Sequence, residues 1–145
     1  MSRSGYSDGC DDSWAMIMWR GRVASATRGK RGQAMFRELL EALDAMPEKR
    51  LISEELELDG SFCTLGVLGH KRGLDMTAID PEEYDKVSEA FEIPQVLARE
   101  IVFMNDDAYW SKEDPEHRWE RMRKWVVEQI EYGEKMAQRR KEKAK

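Results

Sequence analysis

Gln33-Ala34-Met35-Phe36-Arg37-Glu38-Leu39-Leu40-Glu41-Ala42-Leu43-Asp44-Ala45-Met46 is the stretch on which the fold class turns. Phe36, Leu39, Leu40 and Leu43 recur at helical spacing and line one face. Arg37, Glu38, Glu41 and Asp44 lie mostly off it, and Pro47 follows as a stop. The pattern predicts an amphipathic helix from about Gln33 to Met46. Before it, Asp12 and Ser13 can cap a helix starting at Trp14, with Met16, Trp19, Val23 and Ala26 as its buried stripe. That helix is expected to stop at Gly29, leaving Gly29-Lys30-Arg31-Gly32 as a short basic loop. So short a connection favours two antiparallel, packed helices.

Beyond Pro47 lies the only β-like stretch. Glu55-Leu56-Glu57-Leu58 alternates, Asp59-Gly60 is a hairpin turn signal, and Phe62-Cys63-Thr64-Leu65 follows. A two-residue loop pairs Leu58 with Ser61 and Leu56 with Cys63, which puts Leu56, Leu58, Cys63 and Leu65 on one apolar face. The rival is a helix through Ser53–Leu58. Gly66 to Gly73 can form a short helical turn. Asp80-Pro81-Glu82-Glu83 has the form of a helix start, with an Asp cap, Pro in the first turn and acids facing the macrodipole. Tyr84, Val87, Ser88 and Phe91 would face inward. Pro94 opens another helix through Leu97, Ile101 and Met104, ended by Asn105-Asp106-Asp107. Asp114-Pro115-Glu116 repeats the start signal for a last helix with Trp119, Met122, Val126 and Ile130 inward.

The expected fold is therefore mainly α: a compact bundle of about five helices with one small β-hairpin at about residues 55–66. It is read as one globular domain over 1–133, followed by a basic helical or frayed tail at 134–145. The composition agrees. Of 145 residues 41% are hydrophobic, with five Trp and nine Met, enough for a core and too apolar for a wholly disordered chain. Ten Gly and four Pro exclude collagen-like and mucin-like chains, and two Cys exclude a disulfide scaffold. No stretch approaches the roughly 20 apolar residues that span a bilayer. Acidic residues occupy the place of a signal peptide's apolar core, so the expected location is the cytoplasm of a bacterial host cell, with Cys10 and Cys63 as thiols.

The net charge of −5 conceals a partition. Residues 1–50 carry a net +2, residues 51–116 a net −12 and residues 117–145 a net +5. Such asymmetry bears on partners rather than on fold. Asp80, Glu82, Glu83, Asp85, Glu89, Asp106 and Asp107 form a candidate acidic surface for a basic partner. Helix N-terminal charge and solubility account for some of the same residues. Two Lys-Arg pairs beside glycines, Lys30-Arg31 and Lys71-Arg72, are candidate phosphate ligands, or else two solvated turns with capping glycines. The Arg/Lys-rich last helix can follow a phosphate backbone, although Glu120, Glu128, Glu131, Glu134 and Glu142 interrupt it. Residues 87–98 have the length of a helix-turn-helix, but Glu92 holds the turn position that usually wants Gly, and neighbouring acids would meet phosphates.

No catalytic, metal or cofactor signature emerges. The histidines, His70 and His117, have no ligand partners at metal spacing, and neither cysteine lies in a nucleophile motif. Asp8, Asp11 and Asp12 could collect a cation, but a helix cap explains Asp12.

Met1-Ser2-Arg3-Ser4-Gly5-Tyr6-Ser7-Asp8, Gly29-Lys30-Arg31-Gly32-Gln33-Ala34 and Leu43-Asp44-Ala45-Met46-Pro47-Glu48-Lys49-Arg50 have a familiar ring together. So do Arg72-Gly73-Leu74-Asp75-Met76 and Ala98-Arg99-Glu100-Ile101-Val102. They resemble a family of small proteins encoded by bacteriophages and prophages of proteobacteria, over most of the chain up to about Ile130. The resemblance carries no assigned activity and brings no functional residues with it. It implies a role in the infected or lysogenic cell. The expected function is that of a non-enzymatic interaction protein, binding a host or phage protein with a basic surface, such as nucleic-acid-handling or antiphage defence machinery. The alternative is a nucleic-acid or nucleotide-phosphate binder using Lys30, Arg31, Lys71, Arg72 and the basic C-terminal helix.

Overall fold

The structure, a computed structural model, describes residues 13–107 and 112–144. Its order is α1 (Ser13–Arg28), α2 (Lys30–Ala45), β1 (Glu57–Leu58), β2 (Ser61–Phe62), α3 (Thr64–Lys71), a 3-10 turn (Met76–Ala78), α4 (Tyr84–Phe91), α5 (Gln95–Asp106) and α6 (Pro115–Lys143). The fold is mainly helical and compact, with one two-stranded antiparallel hairpin.

Helices α1, α2 and α6 pack on one another, and α5 packs on α1, α3 and α6. Phe36, Leu39, Leu43, Leu65, Leu68, Phe91, Leu97, Ile101, Met122 and Val126 are fully buried at the centre. The Phe36 ring meets Trp125 edge-on at 5.5 Å, a favourable aromatic geometry. The stripes of α2, α5 and α6 follow from their spacing; Leu40, Met104 and Trp119 complete them as half-buried members.

The Gly29–Gly32 segment departs from the expected loop. Gly29 alone separates the helices, and Lys30, Arg31 and Gly32 form the first turn of α2. A Cβ on Gly32 would lie 2.0 Å from the Ala26 carbonyl oxygen. This glycine is there for helix–helix approach, not for loop mobility. In α1 the expected stripe holds at Val23 and weakens at Trp19 and Ala26, which are half-buried; Thr27 joins it, and Met16 is 36% exposed. The capping role read for Asp12, and Cys10, lie outside the described residues.

The hairpin has the expected register. Leu58 pairs with Ser61, Glu57 with Phe62, and the Cys63 N–H donates to the Leu56 carbonyl at 3.2 Å. Asp59 and Gly60 both have positive φ, 50° and 78°, as a primed turn requires. Leu56, Cys63 and Leu65 are buried, but Leu58 is 56% exposed, because it sits beside the turn beyond the core's edge. The chain leaves β2 directly into α3, whose first turn is capped by Cys63: its Sγ accepts from the Gly66 N–H.

Asp80-Pro81 does not start a helix. Asp80 Oδ1 accepts from the Glu82 N–H at 2.9 Å and closes an Asx turn, and α4 begins at Tyr84. Asp114-Pro115 does start one, with Asp114 as N-cap and Pro115 in the first turn of α6. That helix runs on through Lys143, exposed along its last residues.

A polar hub pins the segment between α2 and β1. Asn105 Oδ1 accepts from the Thr64 N–H and hydroxyl at 3.1 and 2.8 Å, and its Nδ2 donates to the Ile52 carbonyl at 3.0 Å. Arg118 donates to the carbonyls of Asn105 and Leu51, both at 3.1 Å. Asn105 is 1% exposed, so each of these bonds replaces hydration that burial removed.

Candidate functional site

The two Lys-Arg pairs meet in part. Arg31, in the first turn of α2, and Arg72, just past the end of α3, line one cleft of about 200 Å³ with Glu38, Glu92 and Pro94. Their donors are largely committed. Arg72 grips both Glu38 oxygens, Nε to Oε2 at 3.0 Å and a terminal nitrogen to Oε1 at 2.7 Å, and also donates to the Phe91 carbonyl. Its hydrogen bonds hold the Glu38 carboxyl below the ordinary range, against the upward push of burial, and the same pair raises the Arg72 pKa. Lys71 pairs with Glu41 at 3.0 Å. Arg31 donates to the Glu92 carbonyl at 3.3 Å. The second pair thus clamps α3 onto Glu38 and Glu41, one helical turn apart on α2. Lys30 is exposed and unpaired among the described residues.

The basic last helix is divided. Near its start, Arg121 grips Glu113 at 2.7 and 2.9 Å, Arg118 lies 3.3 Å from the same carboxylate, and Arg123 holds Asp44 at 2.6 and 3.1 Å. Lys124, Lys135, Arg139, Arg140 and Lys141 are exposed and carry no ion pair among the described residues. Glu134 and Glu142 stand among them, as the sequence indicated.

The acidic candidates separate into two groups. Asp80, Glu82, Glu83, Asp85 and Glu89 are exposed on the turn before α4 and on α4 itself. None has an ion pair among the described residues; only Asp80 is engaged, by its Asx turn. Asp106 and Asp107 are half-buried at the end of α5, where Asp106 accepts from Asn105 Nδ2 and the Glu54 N–H. Asp106 thus serves the Asn105 hub, and the Asp107 N–H closes the helix end on the Phe103 carbonyl. Glu100, another acid of the middle segment, is 4% exposed and pairs with Arg20 at 2.7 Å.

Sequence reasoning missed two arrangements. One is a groove of about 670 Å³ between the end of α2, the hairpin and α3, lined in part by Met46, Pro47, Phe62, Val67 and His70. His70 lies against Phe62 there, ring centres 4.7 Å apart. The spacing offers no signal for it, because its walls come from three elements. The other is a stack: the Arg99 guanidinium lies 4.5 Å from the Trp19 ring and 4.4 Å from the Tyr84 ring. It fastens α1 to the first turn of α4 by cation–π contact.

The helix-turn-helix segment folds as two helices, with Glu92 in the left-handed conformation at φ 54°. The second of them, α5, buries Leu97, Ala98, Glu100, Ile101, Val102 and Asn105 in the core, so it is not presented as a recognition helix. Among the described residues no group of three or more His, Cys, Asp or Glu could hold a metal ion, and no helix is long and apolar enough to cross a membrane. No protein-family model, curated protein or solved structure matches the chain.

Proposed function

We propose that the protein is a non-catalytic interaction module that docks its acidic segment, Asp80 to Glu89, on a basic surface of a partner protein. One contrast carries this reading. Glu82, Glu83, Asp85 and Glu89 are exposed and unpaired among the described residues, whereas three of the four Lys-Arg candidates are engaged within the fold. Carboxylates left without internal cations keep their field for association and steering. The spacing of several carboxylates on one short segment suits a groove that otherwise holds a polyanion. The resemblance to phage-encoded proteins points to a host or phage protein of a bacterial cell as that partner.

The test is affinity capture from bacterial lysate across a salt series. The comparison is with a variant carrying Glu82→Gln, Glu83→Gln, Asp85→Asn and Glu89→Gln. The native protein is expected to retain basic proteins that the variant releases. Identical captures by the two would sink the reading.

A second reading, phosphate binding, is favoured by the convergence of Arg31 and Arg72 on one cleft and by the unpaired cations at the end of α6. Its check is a DNA and RNA shift assay in which binding weakens steeply with salt and with Lys30→Ala/Arg31→Ala. Absence of a shift at low salt removes it.

A further inference from the structure

We infer that the outer face of α1 is a homodimer interface, on which the α1 of a second copy lies antiparallel, with Trp14 of each seated over Gly21 of the other.

Of the five large apolar side chains that stay exposed among the described residues, four lie near the start of α1. Trp14 is 70% exposed, Ile17 61% and Met18 46%. Their spacing of i, i+3 and i+4 puts these three on one helix face, and Gly21, seven residues after Trp14, continues it. Val23 and Thr27, the buried residues of α1, lie on the opposite side, as does Trp19 against Arg99. The fold thus holds α1 by one side and leaves the strip on the other.

Gly21 indicates what covers the strip. A glycine in mid-helix weakens the helix. At Gly32 and Gly133 a neighbour in the same chain accounts for it, since an added Cβ would lie 2.0 Å from that neighbour. At Gly21 nothing lies within 4 Å. The close approach that a glycine permits is here left to a second molecule, and α1 itself carries the side chain that fits. An antiparallel pair centred between Ile17 and Met18 sets Trp14 of one helix opposite Gly21 of the other, and Ile17 opposite Met18. The most exposed side chain then meets the open notch twice, once on each side of the two-fold axis. An isologous interface requires this self-complementarity, and helix pairs supply it by ridge-in-groove packing.

Charge selects the same arrangement. Helix α1 holds Arg20, Arg22 and Arg28 and no acid. A parallel pair would set Arg22 beside Arg22. The antiparallel pair parts them by nine residues of helical rise, about 14 Å, beyond the roughly 8 Å screening length of physiological salt. Two such strips bury on the order of 1,000 Å² in total, the lower bound for a specific interface, so the dimer is expected to dissociate in the micromolar range. The α4 segment reaches α1 through Tyr84, Arg99 and Trp19, on the side away from the strip. Its carboxylates stay uncovered, and the dimer presents two sets of them.

The test is sedimentation equilibrium of the full chain from low to high micromolar concentration, with circular dichroism to confirm that each variant folds. The native chain is expected to pass from monomer to dimer. Trp14→Gly removes the knob and Gly21→Trp fills the notch, and each is expected to weaken association about tenfold. The double variant Trp14→Gly/Gly21→Trp exchanges knob and notch and is expected to dimerise again. Glu82→Gln/Glu83→Gln/Asp85→Asn/Glu89→Gln is expected to dimerise like the native chain, whatever it does to partner capture; loss of its dimer would overturn the inference. Stronger association of Gly21→Trp would mean unspecific apolar contact and would overturn it too, as would a double variant that stays monomeric. A native chain that is monomeric throughout would also overturn it. Cosedimentation of that monomer with vesicles of phosphatidylglycerol and phosphatidylcholine, lost in Trp14→Gly, would then assign the strip to a lipid surface. None of these outcomes alters the capture experiment that tests the acidic segment.

Discussion

Arg72 closes a two-pronged ion pair with Glu38 while donating to the carbonyl of Phe91, the last residue of α4. One side chain thereby ties α2, α3 and α4 together. Bidentate geometry and partial burial raise such a pair above the ordinary surface ion pair. Arg72→Lys keeps the charge and loses the fork. It is expected to cost about 1 kcal/mol, with a similar loss for Glu38→Gln. A double-mutant cycle by urea denaturation measures the coupling, and additive losses would show that the two groups do not act as a pair.

Gly32 tests whether the first Lys-Arg segment is a loop or a packed helix turn. Its added Cβ would fall 2.0 Å from the Ala26 carbonyl oxygen, a backbone atom that cannot swing aside. Gly32→Ala is therefore expected to destabilise by about 2 kcal/mol or more, despite the higher helix propensity of Ala. A rise in Tm would show that α1 and α2 do not approach so closely. Gly66→Ala, with its Cβ 1.9 Å from the Leu56 carbonyl oxygen, is expected to behave alike.

These glycines mark the boundary of what could be read from residues in order. Periodicity revealed α2, α5 and α6, because each buries a stripe along its own length. Asp59-Gly60 revealed the hairpin register, because only a primed turn accommodates two positive φ values. Gly29–Gly32 misled, since a glycine kept for close packing looks the same in sequence as one kept for a turn. Asp80-Pro81 misled for a similar reason: an Asx turn and a helix cap use the same carboxylate on the same backbone groups. The placement of the candidate site was less legible still. Glu83 and Glu100 belong to one acidic stretch of sequence, yet one is exposed and the other is buried against Arg20. Exposure depends on which helices α5 meets, and no local pattern encodes that. Leu58 and Met16 were read inward by spacing, but each lies where its element runs past the core.

Glu92 occupies the left-handed region at φ 54° between α4 and α5. That conformation costs a non-glycine residue on the order of 1 kcal/mol. Its side chain forms no ion pair among the described residues, and its role toward Arg31 runs through the backbone carbonyl. Glu92→Gly is accordingly expected to stabilise the fold by about 0.5–1 kcal/mol, after the entropy that glycine adds to the unfolded chain. Thermal unfolding checks it, and a lower Tm would mean that the Glu92 side chain has a stabilising contact of its own.

Asn105 serves Thr64, Ile52 and Asp106 with one amide. Asn105→Leu would leave the buried Thr64 N–H and hydroxyl and the Ile52 carbonyl without these partners. The expected cost is about 2–4 kcal/mol, from unsatisfied groups rather than from lost volume. Hydrogen exchange is expected to rise first between residues 51 and 64, the stretch the hub pins. Uniform loss of protection across the chain would instead make the hub part of the global core.

Glu113 is expected to contribute to the acid sensitivity of the fold. Its carboxylate is 1% exposed and faces Arg121 at 2.7 Å, His117 at 2.6 Å and Arg118 at 3.3 Å. Burial pushes its pKa up, but hydrogen bonds from Arg121 and His117, with the charges of Arg121 and Arg118, outweigh burial and hold it below 4.5. A carboxyl whose folded pKa lies below its unfolded value stabilises the fold fully above the unfolded value. That contribution is lost as pH falls through the folded one. Glu38 and Asp44, each held down by an arginine, act with the same sign. Stability is therefore expected to be level with respect to these groups at neutral pH and to fall progressively below about pH 4.5. Glu113→Gln removes the charge and leaves Arg121 and Arg118 facing a neutral amide. It is expected to lower stability at pH 7 and to flatten the decline on acidification, because one proton-linked group is gone. Urea midpoints measured from pH 7 down to pH 3 would show the two curves converging, whereas parallel curves would place the acid sensitivity in other carboxylates.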